Sequence, residues 1–182
     1  RAATTSPSAK AAFASVTIVN AGEATPALSE LELYDAVLVW SNFSFADPST
    51  LGENLSRYVD GGGGVVVAAF ANSSDTAGRS VEGRWSTHDY ELIPAASGNT
   101  TGPATLGTVH LPAHPLVAGV STFDGGTSSF RPTTTSIHSA GMLVAEWSDG
   151  LTLAAVREDT VGSRVDLGFY PPSDNVLANY WD

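Results

Sequence analysis

The sequence predicts an α/β domain with a mostly parallel central sheet and an antiparallel β meander at its C-terminal end. Three observations carry this expectation. Residues 34–72 read as strand, loop, helix, glycine turn and strand. Two further strand-and-helix signals precede them. Three strand-like runs joined by short turns close the chain.

Residues 36–40 (AVLVW) and 65–71 (VVVAAFA) are almost wholly apolar, as strands buried on both faces of a parallel sheet are. Between them Asp47 can cap a helix that opens on Pro48, whose missing N–H is unpaired there anyway. Leu51, Leu55, Tyr58 and Val59 recur at helical spacing and should face the sheet, with Asn54 on the opposite side. Gly61 can end the helix in a left-handed conformation. A strand–helix–strand unit of this length is most simply a right-handed βαβ crossover.

Upstream, residues 8–15 read as the end of a helix and 16–20 (VTIVN) as a strand. Thr25-Pro26 opens a short helix with Leu28, Leu31 and Leu33 inward. Downstream, 73–103 is turn-rich and lacks a clear period, and 105–111 reads as a strand. Residues 141–147, 151–157 and 164–170 are the three strands of the meander. Ser148-Asp149-Gly150 is a hairpin signal between the first two. Nothing resembles a repeat or a linker, so 1–182 reads as one domain.

Composition narrows the function classes. A net charge of −11, with Lys10 as the single lysine, argues against nucleic acid and anionic membrane as partners. No cysteine is present, which removes disulfides, thiolate nucleophiles and cysteine-ligated metal. The longest apolar run, 65–71, is too short to cross a bilayer. The chain begins at Arg1, not methionine, which suggests excision from something longer. Asn-x-Ser/Thr triplets at Asn42, Asn54, Asn72 and Asn99 are candidate glycosylation sites, and through them an extracellular or cell-envelope location is expected.

The strand YDAVLVWSN, the helix running into RYVDGGGGVVVAAF, the segment His114-Pro115-Leu116-Val117-Ala118-Gly119-Val120 and the late GMLVAEWSDGLTLAAVRE resemble the class I glutamine amidotransferase-like superfamily, in its trehalose-utilisation-protein-like branch. The resemblance spans residues 16–173. It implies a flavodoxin-like three-layer sandwich. It also implies that the family's first, central strand and its last helix are missing, leaving a sheet edge for a flanking piece or another chain to fill. Amidotransferases place a cysteine at a sharp strand-to-helix turn, here near residues 70–74. Ser73 or Ser74 could stand in, but neither sits in a G-x-S-x-G elbow, and ordinary loop serines are the simpler reading.

Other chemistry is thin. His110 and His114 are separated by Pro112, and His88, Asp89, Glu91 and His138 are further metal-ligand types that read more simply as scattered surface residues. The glycine run follows a helix and precedes a strand, the reverse of a phosphate-binding loop. Arg84, Trp85, His88 and His114 are candidate ligand-binding residues, Trp85 by stacking on a sugar or peptide unless it is a core residue. No catalytic residue, metal or cofactor is assigned. The favoured function is a non-catalytic binding or scaffolding domain of a larger secreted or envelope protein. The partner would be another protein, further copies of the chain, or a carbohydrate. The alternatives are a carbohydrate-active hydrolase or isomerase of the same fold and a self-assembling subunit completed by strand addition. In the last case residues 127–136 and the N-terminal arm would be connecting pieces.

Overall fold

The computed structural model describes residues 13–158 and 161–171. In chain order the elements are helix α1 (Leu28–Leu31), strand β1 (Ala36–Val39), helix α2 (Pro48–Asp60), β2 (Gly64–Ala68) and helix α3 (Arg84–Thr87). A 3-10 turn (Ala95–Ser97) leads to β3 (Asn99–Thr100), β4 (Leu106–Val109), β5 (Arg131–Pro132), β6 (Met142–Trp147), β7 (Thr152–Glu158) and β8 (Ser163–Leu167). Six strands form one sheet in the order β1-β2-β8-β7-β6-β4, and β3 pairs with β5 separately. β1, β2 and β8 run parallel, while β8-β7-β6-β4 is antiparallel throughout. The meander therefore does not hang off the parallel unit; its last strand is the third parallel strand.

The central helix forms as its residues dictate. The Asp47 carboxylate accepts from the Thr50 N–H at 2.9 Å and from the Thr50 hydroxyl at 2.7 Å, ahead of Pro48 at the first helical position. Those two bonds also hold the Asp47 carboxyl below its ordinary range. Leu51, Leu55, Tyr58 and Val59 are all buried against Val39, Val65 and Val67. Gly61 stays right-handed at φ −78°, because its N–H still bonds back to Arg57. The left-handed turn falls one residue later, at Gly62.

Opposite α2, the sheet buries Ala154, Val156, Val165 and Leu167 with Val144 and Trp147. Ala104, Leu111, Val117 and Phe123 close over them from turns and irregular chain, not from helices. The described residues thus form a mixed α/β sheet with few helices. The prolines and glycines of residues 102–126 leave no helix-forming stretch on that side.

Three upstream expectations change. Residues 16–20 join no strand ladder, and Val16, Ile18 and Val19 are 57%, 60% and 57% exposed. Leu33 is exposed, whereas Leu28 and Leu31 pack inward. The helix end expected at 8–15 falls mostly outside the described residues, and 13–15 are not helical. The last-helix expectation concerns residues beyond 171, also outside them. Among the described residues no helix is long and apolar enough to cross a membrane.

Gly52 sets how closely α2 approaches the segment before α3. A Cβ there would overlap the Glu82 carbonyl and crowd Cβ of Trp85. Gly52→Ala should cost about 1–3 kcal/mol in urea unfolding by overpacking. Gly61→Ala, at a right-handed position with no contact under 3.4 Å, should be near neutral. Equal effects of the two would rule out close packing as the cause.

Candidate functional site

The carboxyl ends of β2 and β8 mark the side on which open α/β sheets place their ligands, and here it is closely packed. Asn72 Nδ2 donates to both Val67 O (3.0 Å) and Leu167 O (3.2 Å), tying the two strand ends together. Phe70 packs on Phe130 and Tyr170, and the Arg79 guanidinium lies 3.7 Å from its ring centroid. Arg79 also donates to Asn42 Oδ1 at 3.0 Å, and burial pushes its basicity down.

The candidate nucleophiles of this turn are enclosed. Ser73 is 0% exposed, and its hydroxyl has no hydrogen-bond partner. Ser74 is buried, with its hydroxyl oxygen accepting the Thr76 N–H. The four histidines have their partners elsewhere: His88 with Thr87, His110 with Glu146, His114 with Glu158 and His138 with Asp89. The turn therefore carries a serine but neither access nor a base.

A concavity lies at the other end of the sheet. A cleft of about 630 Å³ opens between the C-terminus of α2, the loop after α3, the end of β7 and the start of β8. Asp60, His88, Asp89, Tyr90, Arg157, Glu158 and Arg164 line it. Its wall is tightly tied. Arg157 and Arg164, partners on β7 and β8, both donate to the Asp89 carbonyl, at 3.4 and 2.9 Å. Asp89 itself stands at φ 63°, a conformation that aspartate tolerates better than most residues but that still needs support. Tyr90 donates to Asp60 Oδ1 and Arg84 to Asp60 Oδ2, both at 2.6 Å. Burial opposes ionisation of Asp60, but these hydrogen bonds and the charges of Arg84 and Arg164 prevail and hold its carboxyl below the ordinary range. Burial and the bond to Asp60 push the Tyr90 hydroxyl up.

Beneath the wall, Asp166 is fully buried on the α2 face of β8. One of its oxygens accepts the N–H groups of Leu92 and Ile93, at 3.2 and 2.8 Å. Burial drives its carboxyl up to about 7 despite those bonds. Burial likewise raises Glu91, partly offset by a backbone bond from Ala95 and by His138. Arg164 and Asp166, alternate residues of one strand, thus fasten residues 89–93 from below.

The sequence-predicted residues divide accordingly. His88 lines the cleft; Arg84 braces it through Asp60 and lies 5.1 Å from the centre of the Tyr90 ring. His114 reaches it through Glu158, 3.4 Å away, too poorly aligned for a hydrogen bond. Trp85 is corrected: it is buried in the core beside Tyr90, not offered to a ligand. Among the described residues no three histidine or acidic side chains gather as a metal site. Sequence reasoning missed Arg157, Arg164 and Asp166. The signal was there, in charged residues alternating along an otherwise apolar strand-like run.

The four asparagines also separate. Asn72 is buried with its amide engaged, Asn54 donates to Pro26 O, and Asn99 donates to Ser73 O. Asn42 is exposed.

No family model matches the sequence, and no curated protein matches it significantly. Solved structures do. The chain is similar to cytoplasmic protein STM1381 from Salmonella typhimurium LT2 at 12% identity and a TM-score of 0.55, and to cytoplasmic protein STM3548 from Salmonella typhimurium at 14% and 0.52. A ThuA-like protein from Bacteroides uniformis matches at 12% and 0.51. Coverage is 78–79% of this chain, which spans 63% of each of those chains. The fold is therefore of the ThuA-like, trehalose-utilisation-protein-like kind. The expected extracellular or envelope location is corrected. Two of these neighbours are named as cytoplasmic proteins, and three of the four asparagines that suggested glycans have their amides engaged.

The raised Asp166 carboxyl fixes a sign for pH dependence. The native state keeps a proton that the unfolded chain releases near its ordinary value of 3.8. This contribution to stability is complete below 3.8 and is lost as pH rises toward about 7. The terms from Asp47 and Asp60, whose carboxyls are lowered, change only as pH falls through and below their ordinary value of 3.8. Urea midpoints from pH 4 to 8 should decline for the native chain and decline less for Asp166→Asn. Parallel curves would exclude Asp166 as the source.

Proposed function

We propose that this chain is a non-catalytic domain of the class I glutamine amidotransferase-like superfamily, serving binding or scaffolding within a larger protein. The observation that carries the reading is Ser73. It occupies the turn where amidotransferases hold their nucleophile, yet its hydroxyl is fully buried, and all four histidines are engaged elsewhere. Within this reading the fold is the flavodoxin-like one, with coil in place of the helices of one outer layer.

The binding surface is the cleft at the amino-terminal end of β8. It presents charges of both signs, from Arg157, Arg164, Asp60, Asp89 and Glu158, beside the Tyr90 ring. Hydroxyl-rich ligands suit such a wall, since each hydroxyl can both donate and accept, and a sugar face can lie on an aromatic ring. A carbohydrate is thus the proposed small ligand.

Isothermal titration with neutral oligosaccharides checks this. His88→Ala and Arg157→Ala, on the rim, should each weaken binding roughly tenfold or more, the scale of one charge-assisted hydrogen bond. Ser73→Ala should leave it unchanged. Turnover of a carbohydrate or amide substrate that Ser73→Ala abolishes, with folding retained, would sink the non-catalytic reading.

A further inference from the structure

Among the described residues the outer edge of β1 has no strand beside it. β1 stands at the end of the sheet and pairs only with β2 among the described residues. Its four residues, AVLV, carry no charge and no proline, and the β1–β2 register is unbroken. Natural edges are blunted by lysine, proline, a bulge or shortness; this one has only its shortness, at four residues.

The same chain exposes a segment of matching character. Residues 13–20 (FASVTIVN) are uncharged and lie in no ladder. Phe13, Val16, Ile18 and Val19 are each more than half exposed. Valine, isoleucine and threonine are strand-forming residues, and Val16 and Ile18 alternate as one strand face does. The segment is fixed at its far end: Ala21 O accepts the Ala46 N–H, beyond the carboxyl end of β1.

We propose that the β1 edge binds residues 16–20 of a second copy of this chain, by strand addition. Charge distribution favours this occupant. At a net charge of −11, two copies repel each other over most of their surface, whereas both strips of this contact are uncharged. Bringing the strips together pairs the open backbone groups of β1 and covers Val16 and Ile18. It adds no like-charge contact within the ladder itself. The inference goes beyond the cleft and stands without it: sugar binding and assembly can fail separately.

Sedimentation of the purified chain over a range of concentration tests it. Monomers should give way to dimers or larger species as concentration rises, and more readily at high salt, which screens the repulsion. Ile18→Lys lowers the net negative charge, so by charge alone it should promote assembly; if the strand contact is right, it should abolish it. Ile18 is exposed, so circular dichroism should be unchanged. A synthetic peptide of residues 13–20 should dissociate the native assembly. A chain that remains monomeric throughout, or an Ile18→Lys variant that assembles like the native chain, overturns the proposal. So does a monomer whose β1 edge takes up an unrelated uncharged strand peptide but not this one.

Discussion

The parallel pairing of β2 with β8 is the constraint on which the rest of the molecule depends. It joins residues 64–68 to 163–167, with about half the chain between them, and it is where the parallel half of the sheet meets the antiparallel half. At its carboxyl end the bridging amide of Asn72 holds both strand ends. At its amino end Gly162 lies where a Cβ would overlap the carbonyl of Val59, so α2 and the start of β8 can meet closely. The Asn72 turn and the cleft lie at the two ends of this one junction.

The junction also places charge inside the protein. In the β2–β8 register Val65 faces Arg164 and Val67 faces Asp166, so two ionisable side chains enter the layer that α2 covers with leucine and valine. An unpaired charge there would be expensive. The structure meets the cost with backbone, Arg164 donating to Asp89 O and Asp166 accepting from Leu92 and Ile93. The irregular wall 89–93 is thereby fastened by groups that a wholly apolar strand could not supply. Polar anchoring substitutes for helix packing on this side of the cleft.

The legible parts of the fold were those governed by local periodicity. The α2 pattern, its Asp47 cap and the three late strands could be read because each signal lies within a dozen residues. What was not legible is long-range. That β8 would pair with β2 as well as with β7, and that residues 16–20 would find no ladder, depend on partners remote in sequence. The site was legible in part. Of the candidate ligand-binding residues His88 lines the cleft, while Arg84 and His114 touch its lining residues Asp60 and Glu158, which no spacing rule connects to them. Trp85 stayed open between core and ligand because a tryptophan beside an arginine has the same pattern whether it faces solvent or the Gly52 side of a helix.

The arginines explain a further property of the surface. Arg57 pairs with Glu53, Arg84 with Asp60 and Arg131 with Asp149. Arg79 caps the Phe70 ring, and Arg157 and Arg164 hold Asp89 O. Each described arginine thus engages a carboxylate, a carbonyl or a ring of its own chain, which suits a planar, multi-donor cation better than it would lysine. Little positive charge is left to offset the acidic surface, so its field is set by the carboxylates. Under such a field close contact between copies is least costly where charge is absent from both sides. The β1 edge and the exposed segment 16–20 both meet that condition, since neither carries a charged residue.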